Sequence, residues 1–375
     1  MRVVQAQLNS GKWNYSGKKD NLTNPLVFIF ADRYLLEKEE ILKEVQKEFP
    51  YEHLIFGSTA GEIFSSNVAE NSVVITAVEF EKSSFKIETS NIKNFNFDSK
   101  IMGKSLISQL PEKDLKHAFV LSEGSYVNGS GLIEGLEIGL QKDVVITGGL
   151  CGDGARFERT LAGYKAPEDG EVVLIGFYGE SLEVSYSSVG GWIPFGPERV
   201  ITKSKDNVLF ELDGKPALQL YSKYLGDKAS ELPQASLLYP LHVKASGKKN
   251  SVVRTILGID RELQSMTLAG DVPQGAKVQL MMASADGLLE GAYQAAKLAM
   301  DSRNNKPELA ILVSCIGRKL VLDQRVEEEV ESVIEMIGET AAVTGFYSYG
   351  ELAPYFGEQS CELHNQTMTL TLLSE

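Results

Sequence analysis

Short apolar runs alternate with stretches of helical periodicity, and the combination recurs three times along the chain. Pro25–Asp32 (PLVFIFAD) is a continuous apolar run of strand length, and Tyr34–Phe49 follows with Leu35, Leu36, Ile41, Leu42 and Val45 at helical spacing, ended by Pro50. A second strand, His53–Phe56, runs into GSTAGE at Gly57–Glu62. The next copy reads as strand His117–Leu121, a glycine-rich turn Glu123–Gly131, a short helix over Leu132–Leu140, and strand Val144–Thr147 leading into GGLCGD at Gly148–Asp153. The last reads as strand Leu309–Ser314, a turn over Cys315–Leu320, an amphipathic helix over Gln324–Ile337, and strand Ala341–Thr344 leading into GFYSYGE at Gly345–Glu351.

Strand, helix, strand and glycine turn closed by an acid predict an α/β protein of repeated βαβ-like units, with helices packed on mixed parallel and antiparallel sheets. Between the copies, Ser72–Phe80, Glu171–Gly176, Val184–Gly190 and Lys277–Met282 read as strands, and Asp286–Met300 as a helix with an alanine-rich face. The alternation of TMTLTL at Thr367–Leu372 predicts a strand with one buried face. A compact helix over GKPALQLYSKYLG, followed by the polar stretch Asp227–Gln234, places a domain boundary near residues 215–235, giving two α/β domains, 1–220 and 221–375.

Composition narrows the functional classes. The chain has 37 basic and 51 acidic residues, net −14, which argues against a nucleic-acid backbone as partner. No stretch reaches the apolar length of a membrane-spanning helix, so no membrane insertion is expected. Three cysteines without CxxC spacing suit a reducing compartment, hence a cytoplasmic protein.

The candidate chemistry lies at the glycine turns. An acid after each turn, Glu62, Asp153 and Glu351, would stand at the carboxyl end of a sheet, where open α/β sheets bind ligands. The alternative is that the glycines permit turns and the acids cap backbone amides. Glu351 is flanked by Tyr347 and Tyr349, a good wall for a small ligand bearing an amine. Arg318 follows an apolar strand; with Glu351 it could clamp a zwitterion, or the two could form an internal salt bridge. The polar segment CELHNQT at Cys361–Thr367 offers His364 and Asn365 as hydrogen-bonding pocket groups. Cys361 and His364 point to opposite faces of an extended strand, which disfavours a nucleophile–base pair. The turn Glu123–Gly131 lacks the endings of a phosphate loop or a dinucleotide fingerprint, and neither a cofactor nor a metal is expected.

These motifs resemble the FIST family (F-box and intracellular signal transduction proteins), with its N-terminal and C-terminal domains in tandem. The resemblance runs through GSTAGEI at 57–63, GGLCGDGARF at 148–157, ITKSKDNVLFELDGKPALQLY at 201–221, SCIGR at 314–318, GFYSYGELAP at 345–354 and CELHNQTMTL at 361–370. One departure is Leu150–Cys151, where small residues are common. The resemblance implies a sensor for small polar ligands, amino acids among them, of the kind found beside output modules. The chain leaves no room for such a module, so signalling is expected through a separate partner protein. An enzyme using Glu351, His364 and Cys361, or a non-catalytic scaffold, are the alternatives.

Overall fold

Three units with the same strand order build the body of the protein, as described by a computed structural model for every residue except Lys142. In each unit two parallel strands lie side by side: Leu26–Ala31 with His53–Ser58, Leu115–Ser122 with Val145–Leu150, and Leu309–Cys315 with Ala342–Ser348. A returning strand pairs antiparallel with the first of them, Val73–Glu79, Glu171–Tyr178 or Met368–Ser374. A fourth strand, Arg2–Asn9, Ser84–Asn91 or Glu183–Val189, pairs antiparallel with the returning one. The sheets are therefore mixed and the fold is α/β.

The inner faces of the three sheets meet in one core, drawn from Phe28, Phe30 and Ile55 of the first unit, Phe119, Leu121 and Phe177 of the second, and Ile311, Val313 and Phe346 of the third. Phe30 and Phe346 lie 4.8 Å apart between centroids, and Phe28 meets Phe119 edge-on at 5.9 Å. The alternate residues Val27, Ile29 and Leu54 point outward under the helices Arg33–Leu36 and Glu39–Glu48. Burial on both faces explains why these strands read as unbroken apolar runs. The same cause corrects one expectation. Met368–Ser374 is buried on both faces, not one, because its threonines find partners inside: Thr371 meets Thr147 at 2.7 Å and Thr369 donates to Ser188 at 2.9 Å. The segment expected as a turn at Cys315–Leu320 is instead a helix, Ile316–Leu322.

Each sheet is completed by a strand that belongs to another unit. The hairpin Glu62–Phe64 and Asn67–Ala69 leaves the first unit and pairs with Ala342–Ser348 of the third. Ala162–Tyr164 leaves the second and pairs with His53–Ser58 of the first. Gly350–Pro354 and Cys361–His364 leave the third and extend the second from Val145–Leu150. The donations run in one cyclic sense.

A lobe from Ile193 to Met282 interrupts the third unit between its strand Glu183–Val189 and its helix Ala285–Asp301. It is an eight-stranded sheet, with register shifts along its long strand Ile193–Lys205, the helix Ala217–Leu225 and its own core around Leu209, Tyr221, Met266 and Val278. The division expected near residue 220 falls on that helix, and strands from both sides of it share the third unit's sheet. Among the described residues no helix is long and apolar enough to cross a membrane.

Candidate functional site

The three glycine turns converge. Ala60 donates its amide to the Tyr347 carbonyl and Tyr347 donates back to Gly61, both at 2.8 Å; Gly152 donates to Ser58 at 3.0 Å, and Tyr349 to Leu150 at 3.1 Å. Each turn is thus hydrogen-bonded to both others. Close approach requires glycine at two of them: a Cβ on Gly148 or Gly345 would lie 1.9 Å from the carbonyl oxygen of Val120 or Leu312 on the neighbouring parallel strand.

The acids behind the turns are fully buried, and two share one design. Glu62 accepts hydrogen bonds from the Thr59 hydroxyl at 2.5 Å and from the Ser72 amide and hydroxyl at 3.2 and 2.8 Å. Glu351 accepts from the Ser348 hydroxyl at 2.5 Å and from the Thr367 amide and hydroxyl at 3.2 and 3.0 Å. Each carboxyl ties its turn to the residue that opens the unit's returning strand. Asp153 instead accepts the amides of Phe157, Glu158 and Arg159 and the hydroxyl of Tyr349, with the Arg33 guanidinium 3.4 Å away.

Burial pushes Glu62 up to about 7 and Glu351 up to about 8, against an ordinary 4.5, although their hydroxyl and amide partners pull the other way. Below pH 4.5 both carboxyls are protonated, folded or unfolded, and the linkage is silent. Above it the unfolded chain ionises first, so stability falls as pH rises to about 7 and 8, then levels. The loss per group is about 1.4 kcal/mol per pH unit. Urea midpoints across pH 4.5–8.5 should therefore fall less steeply in Glu62→Gln and Glu351→Gln than in the wild type; parallel slopes would show that these carboxyls ionise freely in the fold.

Arg318 has no exposed surface, and its partner is Glu329 rather than Glu351. Its Nε donates to Glu329 Oε1 at 2.6 Å, Nη2 to the Leu288 carbonyl at 2.8 Å, and Nη1 to the Gly190 carbonyl. The other oxygen of Glu329 accepts the hydroxyls of Tyr347 at 2.7 Å and Ser314 at 3.0 Å. Arg318 and Tyr347 thus belong to one closed internal network. His364 is buried with Nε2 at 2.9 Å from the Ala353 carbonyl and its ring edge-on to Tyr355 at 4.9 Å; burial takes it down to about 4. Asn365 lies between the Tyr349 carbonyl and the Thr255 amide, at 3.4 Å from each. Cys361 is buried, which pushes its thiol up, and the nearest hydrogen-bonding partner of Sγ is the Glu362 carbonyl at 3.9 Å. Among the described residues no cluster of acids, histidines and cysteines has a metal-holding arrangement.

Two clefts lie in the seam between the three-unit body and the lobe, and larger, shallower ones of 480 and 880 Å³ lie elsewhere on the body. One cleft of 220 Å³ is bounded by the turn Gly124–Gly129, by Tyr349 and Leu150, and by Asn207, Leu257 and Gly270 of the lobe. A second, of 340 Å³, is bounded by Glu137 and Ser130 of the body, by Tyr355 and Cys361–Leu363, and by Lys248, Arg254 and Asp271 of the lobe. Leu363 lines both, and Asn128, in the wall of the smaller, donates to Asp271 in the wall of the larger at 3.2 Å. Of the residues expected to bind a ligand Tyr349 lines the smaller cleft, and Cys361, a candidate of the enzyme alternative, lines the larger, while His364 stands behind Tyr355. Sequence reasoning missed Arg254, Asn128 and Asn207. A signal was present for the first: Arg254 is a lone charge in the run Val252–Ile256 of otherwise uncharged residues.

The FIST N domain model matches residues 25–215, and the FIST C domain model matches 217–354. The chain belongs to the FIST family. FIST domains are sensory domains of signal transduction. This FIST protein is 23% identical over 368 residues to an uncharacterized protein of Methanocaldococcus jannaschii, covering 92% of this chain and 69% of that one. An uncharacterized protein of Mycobacterium tuberculosis is 25% identical over 251 residues, 64% of this chain and 63% of the other. The match thus spans less than two thirds of the mycobacterial relative. Among solved structures, a cyanuric acid hydrolase of A. caulinodans aligns over 78% of this chain and 99% of its own at 10% identity, with a TM-score of 0.17, too low to carry an argument.

Proposed function

We propose that this FIST protein binds a small polar metabolite, with amino acids the foremost class, in the seam between its three-unit body and its lobe. It reports occupancy to a separate signalling protein. The observation that carries the reading is the pair of clefts in that seam, walled by both parts of the chain. Ligand pockets concentrate at such junctions, and a ligand there would contact both parts at once. The smaller cleft combines apolar walls (Leu150, Leu257, Leu268, Leu363) with a few polar groups (Ser125, Asn128, Asn207), the mixture that orients a small molecule.

In this reading Tyr349 contacts whatever part of the ligand enters the smaller cleft. Glu62, Asp153, Glu351, Arg318, Tyr347, His364 and Asn365 hold the wall behind it. Tyr349 stacks on Phe157 at 4.5 Å and donates its hydroxyl to Asp153, which fixes its ring. Burial pushes all three thiols up, which disfavours the thiolate nucleophile that the enzyme alternative would take from Cys361.

Thermal unfolding of the purified protein against amino acids, other small carboxylates, nucleotides and divalent metals tests the reading. A ligand at a hundred times its dissociation constant adds about 2.7 kcal/mol of stability. The expected result is a saturable rise with one class of polar metabolite. Leu257→Trp, at a site already 39% exposed, should abolish a rise that arises in the smaller cleft without unfolding the lobe. A folded wild type that responds to nothing in the panel would defeat the sensory reading.

A further inference from the structure

The geometry points to Arg254 as the anchor for a carboxylate group of the ligand in the larger seam cleft, an assignment that rests on the seam being the binding site. Arg254 lines that cleft and is only 4% exposed. Its polar contacts within the protein are to carbonyls alone: Nε donates to Asp271 at 3.2 Å, and Nη1 donates to Leu363 at 2.7 Å and to Val253 at 3.4 Å. Among the described residues no carboxylate comes within 4.0 Å of it, and none offers Nη2 an acceptor. A buried cation held only by neutral oxygens is normally matched by a counter-charge, and here the open direction is the cleft.

Arg318 makes the contrast explicit. Both arginines are buried, but Arg318 has Glu329 at 2.6 Å, so its charge is already met inside the protein. Arg254 keeps Nη2 without an acceptor, so a donor of the buried cation remains for a charge-assisted hydrogen bond to a carboxylate. Space for the guanidinium is built in: a Cβ on Gly270 would lie 2.9 Å from its central carbon, and Gly270 has a φ of +126°.

The acids on the same walls already have partners. Glu137 accepts the Cys361 amide at 2.6 Å and the Ser360 hydroxyl at 3.1 Å, and Asp271 accepts from Asn128. Glu362 pairs with Lys248 and Glu358 with Lys249, each at 3.5 Å. Glu362 and Asp271 exert a longer-range pull on Arg254, as does Tyr355, without closing an ion pair. These acids leave the anchor open to one carboxylate and penalise a polyanion. The ligand class is therefore a small monocarboxylate that carries hydrogen-bond donors, since acid oxygens face it around the anchor.

Calorimetric titration of the whole chain tests the assignment, using α-amino, α-hydroxy and α-keto acids, each paired with its primary amide. The wild type should bind at least one acid saturably and its amide about thirtyfold or more weakly, because a buried charge pair is lost. Arg254→Gln should lose the same factor for the acid and leave the amide unchanged. Arg254→Lys keeps the charge but cannot donate to the surrounding carbonyls and to a ligand as the guanidinium does, and it should fall between them; it serves where the glutamine variant does not fold. Equal affinity for acid and amide, or undiminished acid binding in a folded Arg254 variant, overturns the anchor while leaving the sensory reading intact. Absence of binding by every acid in the series also overturns it, and binding of neutral or cationic metabolites then decides the sensory reading separately.

Discussion

Glu329→Gln should cost about 3–5 kcal/mol of folding stability, because Glu329 is fully buried beside a buried cation. The guanidinium of Arg318 and this carboxylate are both without exposed surface and meet at 2.6 Å. The amide of glutamine can still accept from Arg318 but brings no charge, so a desolvated cation is left without compensation. The hydroxyl of Tyr347 loses an ionic acceptor at the same time. Removing both charges is a different experiment. The double variant Arg318→Met, Glu329→Leu restores apolar packing without an orphan ion and should recover most of the loss, since buried pairs replaced by apolar groups are often neutral to stability. Urea or thermal unfolding of both variants beside the wild type measures this. A single variant within about 1 kcal/mol of the wild type would mean that the pair is solvated in the folded protein.

Gly148→Ala and Gly345→Ala should be more damaging still, each above about 4 kcal/mol and sufficient to leave little folded protein. In both cases the added methyl would sit 1.9 Å from a backbone carbonyl oxygen of the paired strand, and a backbone atom cannot swing aside as a side chain can. Gly148 adds a φ of +147°, which alanine adopts only with strain. The strands involved, Val145–Leu150 on Leu115–Ser122 and Ala342–Ser348 on Leu309–Cys315, form the centre of their sheets, so moving them apart would open the shared aromatic core. Gly258→Ala is the control: a methyl group there would meet nothing within 4 Å, and its expected effect is within about 0.5 kcal/mol. Soluble yield and unfolding midpoint of the three variants report the difference. Well-folded Gly148→Ala with a normal midpoint would mean that the parallel strands are not so closely approached.

The repeated unit was legible because it is local. An apolar run buried on both faces, a helix of period 3.6 and a glycine turn leave marks close to one another along the chain. Two of the longer helices, Ala285–Asp301 and Val326–Ile337, fall within a few residues of their sequence patterns, whereas the single helix expected over Tyr34–Phe49 is two, Arg33–Leu36 and Glu39–Glu48. Ile316–Leu322 departs from the expected turn, because seven residues containing Gly317 and a buried arginine carry too little period to distinguish a helix from a turn. The strand exchange was illegible for a different reason. Glu62–Phe64 reads as the tail of its own turn, and nothing in three residues specifies that their partner is Thr344–Phe346.

At the candidate site the sequence flagged the acids and tyrosines of the turns, and the structure brings those turns together. It could not tell a carboxylate that faces a ligand from one that faces Ser72 or Thr367, since either use requires the same residue type. Nor could it rank Arg318 against Arg254. The distinction lies in which arginine has an acid at hand, and the deciding neighbour, Glu329, is on a helix whose other glutamates face outward.

The cyclic strand exchange bears on how such a chain could arise. One unit by itself carries a strand with no sheet to join and a sheet with one vacant border. Two copies in a row still leave one of each. Three copies arranged head to tail around an axis leave neither, because the donation of the last returns to the first. A single unit would thus complete its sheets only as a symmetric ring of three swapped copies, and the present chain joins that ring covalently, with the lobe breaking its symmetry on one side.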